Sequence, residues 1–517
     1  MFSILILLLG ITSFYLLIKR HYSKWQRLGF PTDEPLIPFG SLVQIFRKEK
    51  HFGLIMAELY EKFQEKVVGC YLFTKPALLV RDAELARKVL TTDFASFHDR
   101  GVHVDEKYDP LTANLFNLEG QKWHTLRNKL SPSFSSGKLK GMFETIDEVG
   151  NKLINYIAKE VDDGKIHNLE IKSLMTTYAV DIIGSVIFGL DIDSFTKPNN
   201  EFRILSINLH GNQKSVLLLR FRRLMAFIYP PLAGLLARLG IKDSVTYGLR
   251  DIIARTIEFR ESHGVVRKDL LQLLIQLRNT GKITDDNDSN WHRIESTAEN
   301  LKAMSIDMIA ANAFLFYIAG SETTASTTSL TLYEMAMYPE ILAKAQKEVD
   351  DILKKHGLNA DGCLTYEAIQ DMKYLDLCVK ETTRKYPALP FLNRKCTQEY
   401  QVPDSNLTIS KGTGIIISLL AMHRDPQYFP NPMDYKPERY ADDSKDYDPV
   451  AYMPFGEGPR HCIAQRMGIL NSKAALVKML ANFNIETMPR KEVEFMFHTA
   501  PVLVPKDGLH ITLSKRR

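Results

Sequence analysis

Residues Met1 to Ile18 carry no charged side chain and are rich in Leu and Ile; Lys19, Arg20, Lys24 and Arg27 follow at once. Such a run meets the lower limit for a bilayer-crossing helix, and no basic region precedes it as in a cleaved signal. A secretory signal would leave the free cysteines and the missing Ala-x-Ala-like site unexplained. With basic residues only on its C-terminal side, the positive-inside rule places the rest of the chain in the cytosol. Pro31, Pro35, Pro38 and Gly40 then predict a stiff connection. The expected division is an anchor (1–18), a basic and Pro-rich linker (19–45) and one large domain (46–517).

Further along, apolar positions recur at helical spacing from His51 to Phe63, Gly120 to Leu130, about Gly141 to Lys159 and Ile171 to Phe188. Val67 to Phe73 and Ala77 to Val80 read as a hairpin around Lys75-Pro76, and Leu407 to Ile409 and Gly414 to Ser418 read as further strands. The expected fold class is therefore mainly α with small β-sheets. Between His98 and Asn117 lies a charged loop without clear periodicity, long enough to form part of a pocket. Residues 279 to 296 lack an apolar face and contain Asp285, Asp286, Asn287 and Asp288, which predicts an exposed polar loop. In Arg220 to Ile241, apolar residues such as Leu224, Met225, Leu235 and Leu239 are flanked by Arg220, Arg222, Arg223 and Arg238, and Pro230-Pro231 interrupts them. This segment is too broken to span a bilayer; its pattern suits a surface that dips into the membrane interface or packs in the core.

A length of 517 residues alone would suggest about three domains, yet no Gly/Ser-rich or Pro-rich linker divides the chain after residue 45. Hydrophobic content of 45% and charged content of 25% are ordinary for a globular protein with a sizeable core. A net charge of +5 gives no reason to expect nucleic-acid binding, although a local basic patch could steer an acidic partner. The five cysteines (Cys70, Cys363, Cys378, Cys396 and Cys462) are an odd number without Cys-x-x-Cys spacing. They argue for a reducing compartment and against a disulfide framework or structural zinc.

The densest chemistry lies in Phe455-Gly456-Glu457-Gly458-Pro459-Arg460-His461-Cys462-Ile463-Ala464, followed by an apolar helical run, Ile469 to Leu480. Glycines allow the backbone to approach a flat group closely, and Pro459 stiffens the turn. A cysteine before a helix N-terminus is expected to favour the thiolate, as a metal ligand or nucleophile. An isolated cysteine is more often a small buried apolar residue; its surroundings decide here. The spacing Phe455-x-x-Gly458-x-Arg460-x-Cys462-x-Ala464 resembles the heme-binding loop of the cytochrome P450 superfamily, whose usual form ends Cys-x-Gly. Ala464 replaces that glycine, which predicts a small packing shift with ligation kept. The resemblance implies a P450-like heme fold and heme b (iron protoporphyrin IX). Cys462 would be its axial thiolate, an arrangement that favours O–O cleavage.

Ala303 to Met337 is a long, mostly apolar run interrupted by Ala319-Gly320-Ser321-Glu322-Thr323-Thr324. Hydroxyl residues after a buried glycine can bond backbone carbonyls and let a helix open. The hexapeptide matches the superfamily's oxygen-activation motif. The resemblance implies that Glu322 relays protons, Thr323 supplies a hydroxyl, and Ala319 and Gly320 leave room for O2 and water.

Trp123 and Arg127, at i,i+4, resemble the element that binds a heme propionate, a task to which a planar guanidinium is suited. Arg394 and Arg460 match further propionate positions. Glu381 and Arg384, with Arg439, resemble the superfamily's buried structural triad. Ile318, Ala319, Leu315 and Ala388 would face the substrate beside the loop of residues 101 to 117. Phe455-Gly-Glu-Gly-Pro-Arg-x-Cys, Ala421-Met-His-Arg-Asp-Pro and Leu389-Pro-Phe-Leu-Asn-Arg look most like insect microsomal members linked to xenobiotic and plant-toxin metabolism. For that class the resemblance implies an endoplasmic-reticulum location and NADPH-derived electrons delivered by cytochrome P450 reductase, with cytochrome b5 as a second donor. Lys122, Lys129, Lys138 and Lys140, with Arg460, would form a basic docking face. The alternatives are a thiolate-heme isomerase or dehydratase without reductase, and a non-catalytic anchored protein that binds hydrophobic ligands.

Overall fold

The computed structural model describes residues 2–161, 164–210, 217–241, 244–281, 304–358, 363–442, 444, 446–486, 488–498 and 500–516. It is mainly helical, with a four-stranded, a three-stranded and a two-stranded sheet. The polar segment around Asp285 to Asp288 lies outside the described residues, apart from its start, where Asn279 and Thr280 end the helix Leu270–Thr280.

At the centre is the helix Ile306–Met337, started by Ser305, whose hydroxyl accepts from the Met308 N–H at 3.2 Å. It packs most extensively against Ile171–Phe188. Gly320 lies at that crossing: a Cβ there would stand 2.5 Å from Ile183 Cδ1. The missing side chain thus serves helix approach, where the motif had suggested room for O2. The helix is continuous through the motif: the serine and threonine hydroxyls bond carbonyls one turn back within it, and no turn opens.

Ile171–Phe188 is also long and apolar enough to cross a membrane, but 78% of it is buried and it belongs to the core. The N-terminal helix runs from Phe2 to Tyr22, 21 residues, or about 30 Å at the usual rise. Ile6, Leu9, Ile11, Phe14, Leu16 and Leu17 are exposed on it. The segment expected to be a linker is part of the body: Tyr22 Oη donates to the Pro38 carbonyl at 2.9 Å, and buried Trp25 donates to the Cys70 carbonyl at 3.0 Å. Trp25, Phe30, Leu42 and Ile45 join the core around the four-stranded sheet. Prolines suggest a stiff spacer, but the aromatic residues just before them, Tyr22, Trp25 and Phe30, find partners only in the folded chain.

The four-stranded sheet has the spatial order Val67–Leu72, Lys75–Val80, Gly414–Ser418, Phe391–Lys395. The first two strands turn at Phe73-Thr74, with Phe73 at φ +57°. Pro76 sits inside its strand, opposite Tyr71; the parallel neighbour begins only at Ala77, so no ladder donor is lost. Arg220 to Ile241 forms two helices, Leu217–Ile228 and Pro230–Arg238. Leu224, Met225, Ile228, Ala233 and Ala237 are buried, while Leu218, Leu235 and Leu239 are exposed.

Candidate active site

The cysteine loop is closed by the Cys462 N–H, which donates to the Phe455 carbonyl at 2.9 Å. Gly456 and Gly458 have φ of +72° and +69°, and a Cβ on Gly458 would lie 1.9 Å from the Leu90 carbonyl oxygen. Only glycine fits there, and the loop is pinned to the helix Ala83–Leu90. The helix Gln465–Asn482 begins after Ala464, whose φ of −101° demands no glycine. Cys462 is open to a space inside the fold, although protein surrounds it. Burial raises its thiol pKa, and the Ala464 N–H, Arg127 and Arg100 pull it down only in part. The expected preference for the thiolate is therefore not met by the polypeptide alone: desolvation outweighs the helix terminus. A bound metal ion would deprotonate the sulfur.

Arg127 and Arg100 act on this sulfur, and Arg394 and Arg460 stand beside Arg100 in the same cluster of guanidinium groups. Arg460 is 3% exposed and donates to the carbonyls of His98 at 2.6 Å, Phe116 at 3.3 Å and Leu118 at 2.7 Å; its guanidinium lies 4.1 Å from the Trp123 ring centroid. Arg127 donates to the His461 carbonyl at 3.0 Å, and Arg394 to its neighbour Asn393 at 2.8 Å. Trp123 is thus a ring against Arg460, on the same helix as Arg127. Arg100, which sequence reasoning missed, donates to the Arg460 carbonyl at 3.1 Å. A lone arginine in a charged loop carries no periodic signal to single it out.

Burial and then Arg460 push Arg394 down to about 9, and burial with the neighbouring arginines holds Arg100 well below its ordinary value. Burial takes Arg460 to about 10, against the pull of Asp99. The Nε atoms of Arg100 and Arg394 are buried and find no hydrogen-bond partner among the described residues. Unpaired buried cations beside a cysteine fit a flat dianion whose carboxylates would complete them, which is the donor set a heme requires.

On the central helix, Ala319 is exposed and Thr323 half-buried, one turn apart, with Leu315 and Ile318 part-buried nearby. Thr323 Oγ1 donates to the Ala319 carbonyl at 2.6 Å. Glu322 turns the other way: its Oε2 accepts from Lys172 Nζ at 2.9 Å, a partner that the motif does not reveal. The loop 101–117 passes over this region. Buried Arg222 is paired with Asp109, the His103 N–H donates to the Ala226 carbonyl at 2.8 Å, and the Leu115 N–H donates to Asn312 on the central helix. Ala388 is half-buried.

Beneath the cysteine loop lies the triad. Arg384 makes two 2.8 Å hydrogen bonds to Glu381, and Arg439 Nε approaches Glu381 at 3.4 Å, all three essentially unexposed. Arg384 and Arg439 also hold the carbonyls of His423, Pro430 and Asp446. The basic face is smaller than expected. Lys138 is 5% exposed and Arg460 is internal, while Lys122 is paired with Glu106 and Lys140 with Glu367, each at 2.6 Å. The helix carrying Lys138 turns that position inward, which sequence spacing did not reveal. An open groove of about 560 Å³ beside the cysteine loop is lined by Asp376, Lys380, Tyr452, Glu457 and His461, among others.

A cysteine on a closed loop, a cluster of buried arginines and an alcohol on the central helix fit a heme-thiolate oxygenase. The comparisons agree, since the model of the cytochrome P450 family matches residues 30–513 and the chain belongs to that family. It is 72% identical to cytochrome P450 6d1 of Musca domestica over 506 residues, 98% of each chain. Cytochrome P450 6d3 of the same fly is 69% identical, covering 98% of this chain and 97% of that one. Probable cytochrome P450 6d2 of Drosophila melanogaster is 56% identical over the whole of both chains. The protein is thus a monooxygenase of the oxidoreductase class, a heme-iron enzyme whose curated relatives are insect P450s.

Proposed function

We propose that this enzyme inserts one oxygen atom from O2 into small lipophilic substrates, among them xenobiotics, plant toxins and insecticides, with endogenous hormones or lipids as the other class. The observation that carries this reading is the excess of buried guanidinium groups, two with orphaned Nε atoms, around an accessible cysteine sulfur. Cys462 would ligate the iron, and Arg100, Arg127, Arg394 and Arg460 would hold the propionates, with Trp123 and Phe455 framing the ring. When bound, heme supplies the redox chemistry that activates O2.

The chain's own residues supply the rest. Thr323 Oγ1 holds a proton at the Ala319 carbonyl, one turn from a small residue that leaves space. Glu322 holds a proton acceptor tied to Lys172 at the edge of the core. Leu315, Ile318 and Ala388 offer an apolar wall that excludes water. Electrons would come from NADPH through cytochrome P450 reductase, with cytochrome b5 as a second donor, docking at the groove beside the cysteine loop. The helix Phe2–Tyr22 would anchor the enzyme in the endoplasmic-reticulum membrane with its body in the cytosol. Exposed Leu218, Leu235 and Leu239 would touch the interface.

The experiment is the reduced carbon-monoxide difference spectrum of the purified protein and of Cys462→Ala, followed by NADPH-dependent oxygen uptake with reductase. A thiolate-type carbonyl band lost in the variant, with oxygen uptake in the native enzyme, supports the proposal. A histidine-type band would end it. A thiolate band without oxygen uptake would favour an isomerase or dehydratase. A Cys462→Ala protein that still bound heme and turned over would remove both readings.

A further inference from the structure

Asn312 is completely buried in the second turn of the central helix, between Ala310, Ala311 and Ala313. Asparagine is a poor choice there, because its amide competes with the helix backbone and is costly to bury unpaired. Its partner lies off the helix: Oδ1 accepts from the Leu115 N–H at 3.0 Å, while Nδ2 donates to the Met308 carbonyl at 2.8 Å. Asn114 turns the loop just before, its Oδ1 accepting from the N–H groups of Phe116 at 3.1 Å and Asn117 at 3.2 Å. The Phe116 ring is then fixed between the Arg100 guanidinium, 4.0 Å away, and the Phe227 ring, 5.9 Å away, and its carbonyl is held by Arg460. One amide on the central helix therefore helps to set where an aromatic side chain stands next to the arginine cradle. Asn312 lies about two turns before Ala319, on the same side of the helix as Leu315.

We propose that Asn312 is a specificity-determining positioning residue: by tethering the Leu115 amide it fixes Phe116 and so limits the bulk admitted beside Cys462. This rests on the heme-thiolate reading above. Removing the tether loosens the loop at Leu115, next to Phe116, and leaves Cys462 and Thr323 as they are; Arg100 and Arg460 remain the other restraints on Phe116.

The test uses the purified holoenzyme of the native protein, Asn312→Leu and Asn312→Asp, with imidazole and a biphenyl-substituted imidazole as spectral ligands. In Asn312→Leu the ratio of the two affinities is expected to move about five-fold toward the bulky ligand, the equivalent of one hydrogen bond of about 1 kcal/mol. Imidazole affinity and the ferrous carbonyl band should stay unchanged. Asn312→Asp keeps an acceptor for the Leu115 N–H, and its protonated form also keeps a donor for Met308. It should approach the native ratio as pH is lowered. If Asn312→Leu does not incorporate heme, Asn312→Ala carries the same comparison. A native ratio in the leucine or alanine variant, or an aspartate variant that shifts equally at every pH, overturns the proposal. A native enzyme without a thiolate-type carbonyl would instead sink the heme reading.

Discussion

Arg384 and Arg439, at 0% and 1% exposure, are as deeply buried as Arg394 and Arg460, at 2% and 3%. The electrostatic situations of Arg384 and Arg394 are nonetheless opposite. Burial disfavours the charge on Arg384, yet the Glu381 hydrogen bonds and charge outweigh it and raise its pKa. Arg394 is lowered to about 9 by burial and then by Arg460, and one of its nitrogens has no partner. A buried cation matched within its own chain is part of the scaffold. One left without a carboxylate of its own, next to other arginines and a cysteine loop, marks a place for an anion from outside.

The largest expected effect comes from breaking the matched group. Glu381→Gln leaves two buried guanidinium groups without their carboxylate and should cost about 3–5 kcal/mol, with heme loaded or not. Thermal unfolding checks this, and a loss below about 1 kcal/mol would show that the triad does not lock the cysteine loop. His423 sharpens the same side. Burial first, and then the Arg384 charge, hold its imidazole down to about 3, so it is neutral in the fold, where its Nε2 accepts from the Met453 N–H at 3.2 Å. The unfolded chain, with an ordinary value of about 6.5, takes up the proton first as pH falls. Its contribution to stability is full above about pH 6.5 and is lost progressively toward pH 3. The stability of the native protein relative to His423→Asn should fall by about 2 kcal/mol between about pH 6.5 and 5. Parallel pH profiles would refute it.

The unmatched group predicts the reverse behaviour. Arg394→Met should leave the heme-free protein as stable as before or more so, because an uncompensated buried charge has gone. It should also speed heme loss to a scavenging globin about ten-fold, or about 1.4 kcal/mol. A destabilised apoprotein with unchanged heme retention would erase the distinction between the two arginine groups. Smallest is the exposed Lys140–Glu367 pair. Lys140→Ala should change stability by less than about 0.5 kcal/mol, and a larger change by urea unfolding would mean that solvent does not screen it.

Much of the site was legible in the sequence, because close spacing reports local geometry. Phe455 to Ala464 form one short loop, and Glu381 and Arg384 are neighbours on one helix turn. Misreadings arose where a residue's role depends on what the fold brings opposite it. Gly320 looked like room for O2 and proved to be room for Ile183. Lys138 looked like surface and is buried, and the segment after Tyr22 looked like a spacer and is core.

The sequence by itself determined the chemistry: which side chains are present, which are helical neighbours, and that a cysteine follows two glycines that no other residue could replace without strain. Tertiary structure alone decided the partners, namely Lys172 for Glu322, Asn312 for Leu115 and Arg100 for the cradle, each supplied by a distant part of the chain. Periodicity records which face of an element is apolar, whereas a charge or an amide acquires its function from the atom placed against it, and that placement is a property of the whole packed chain.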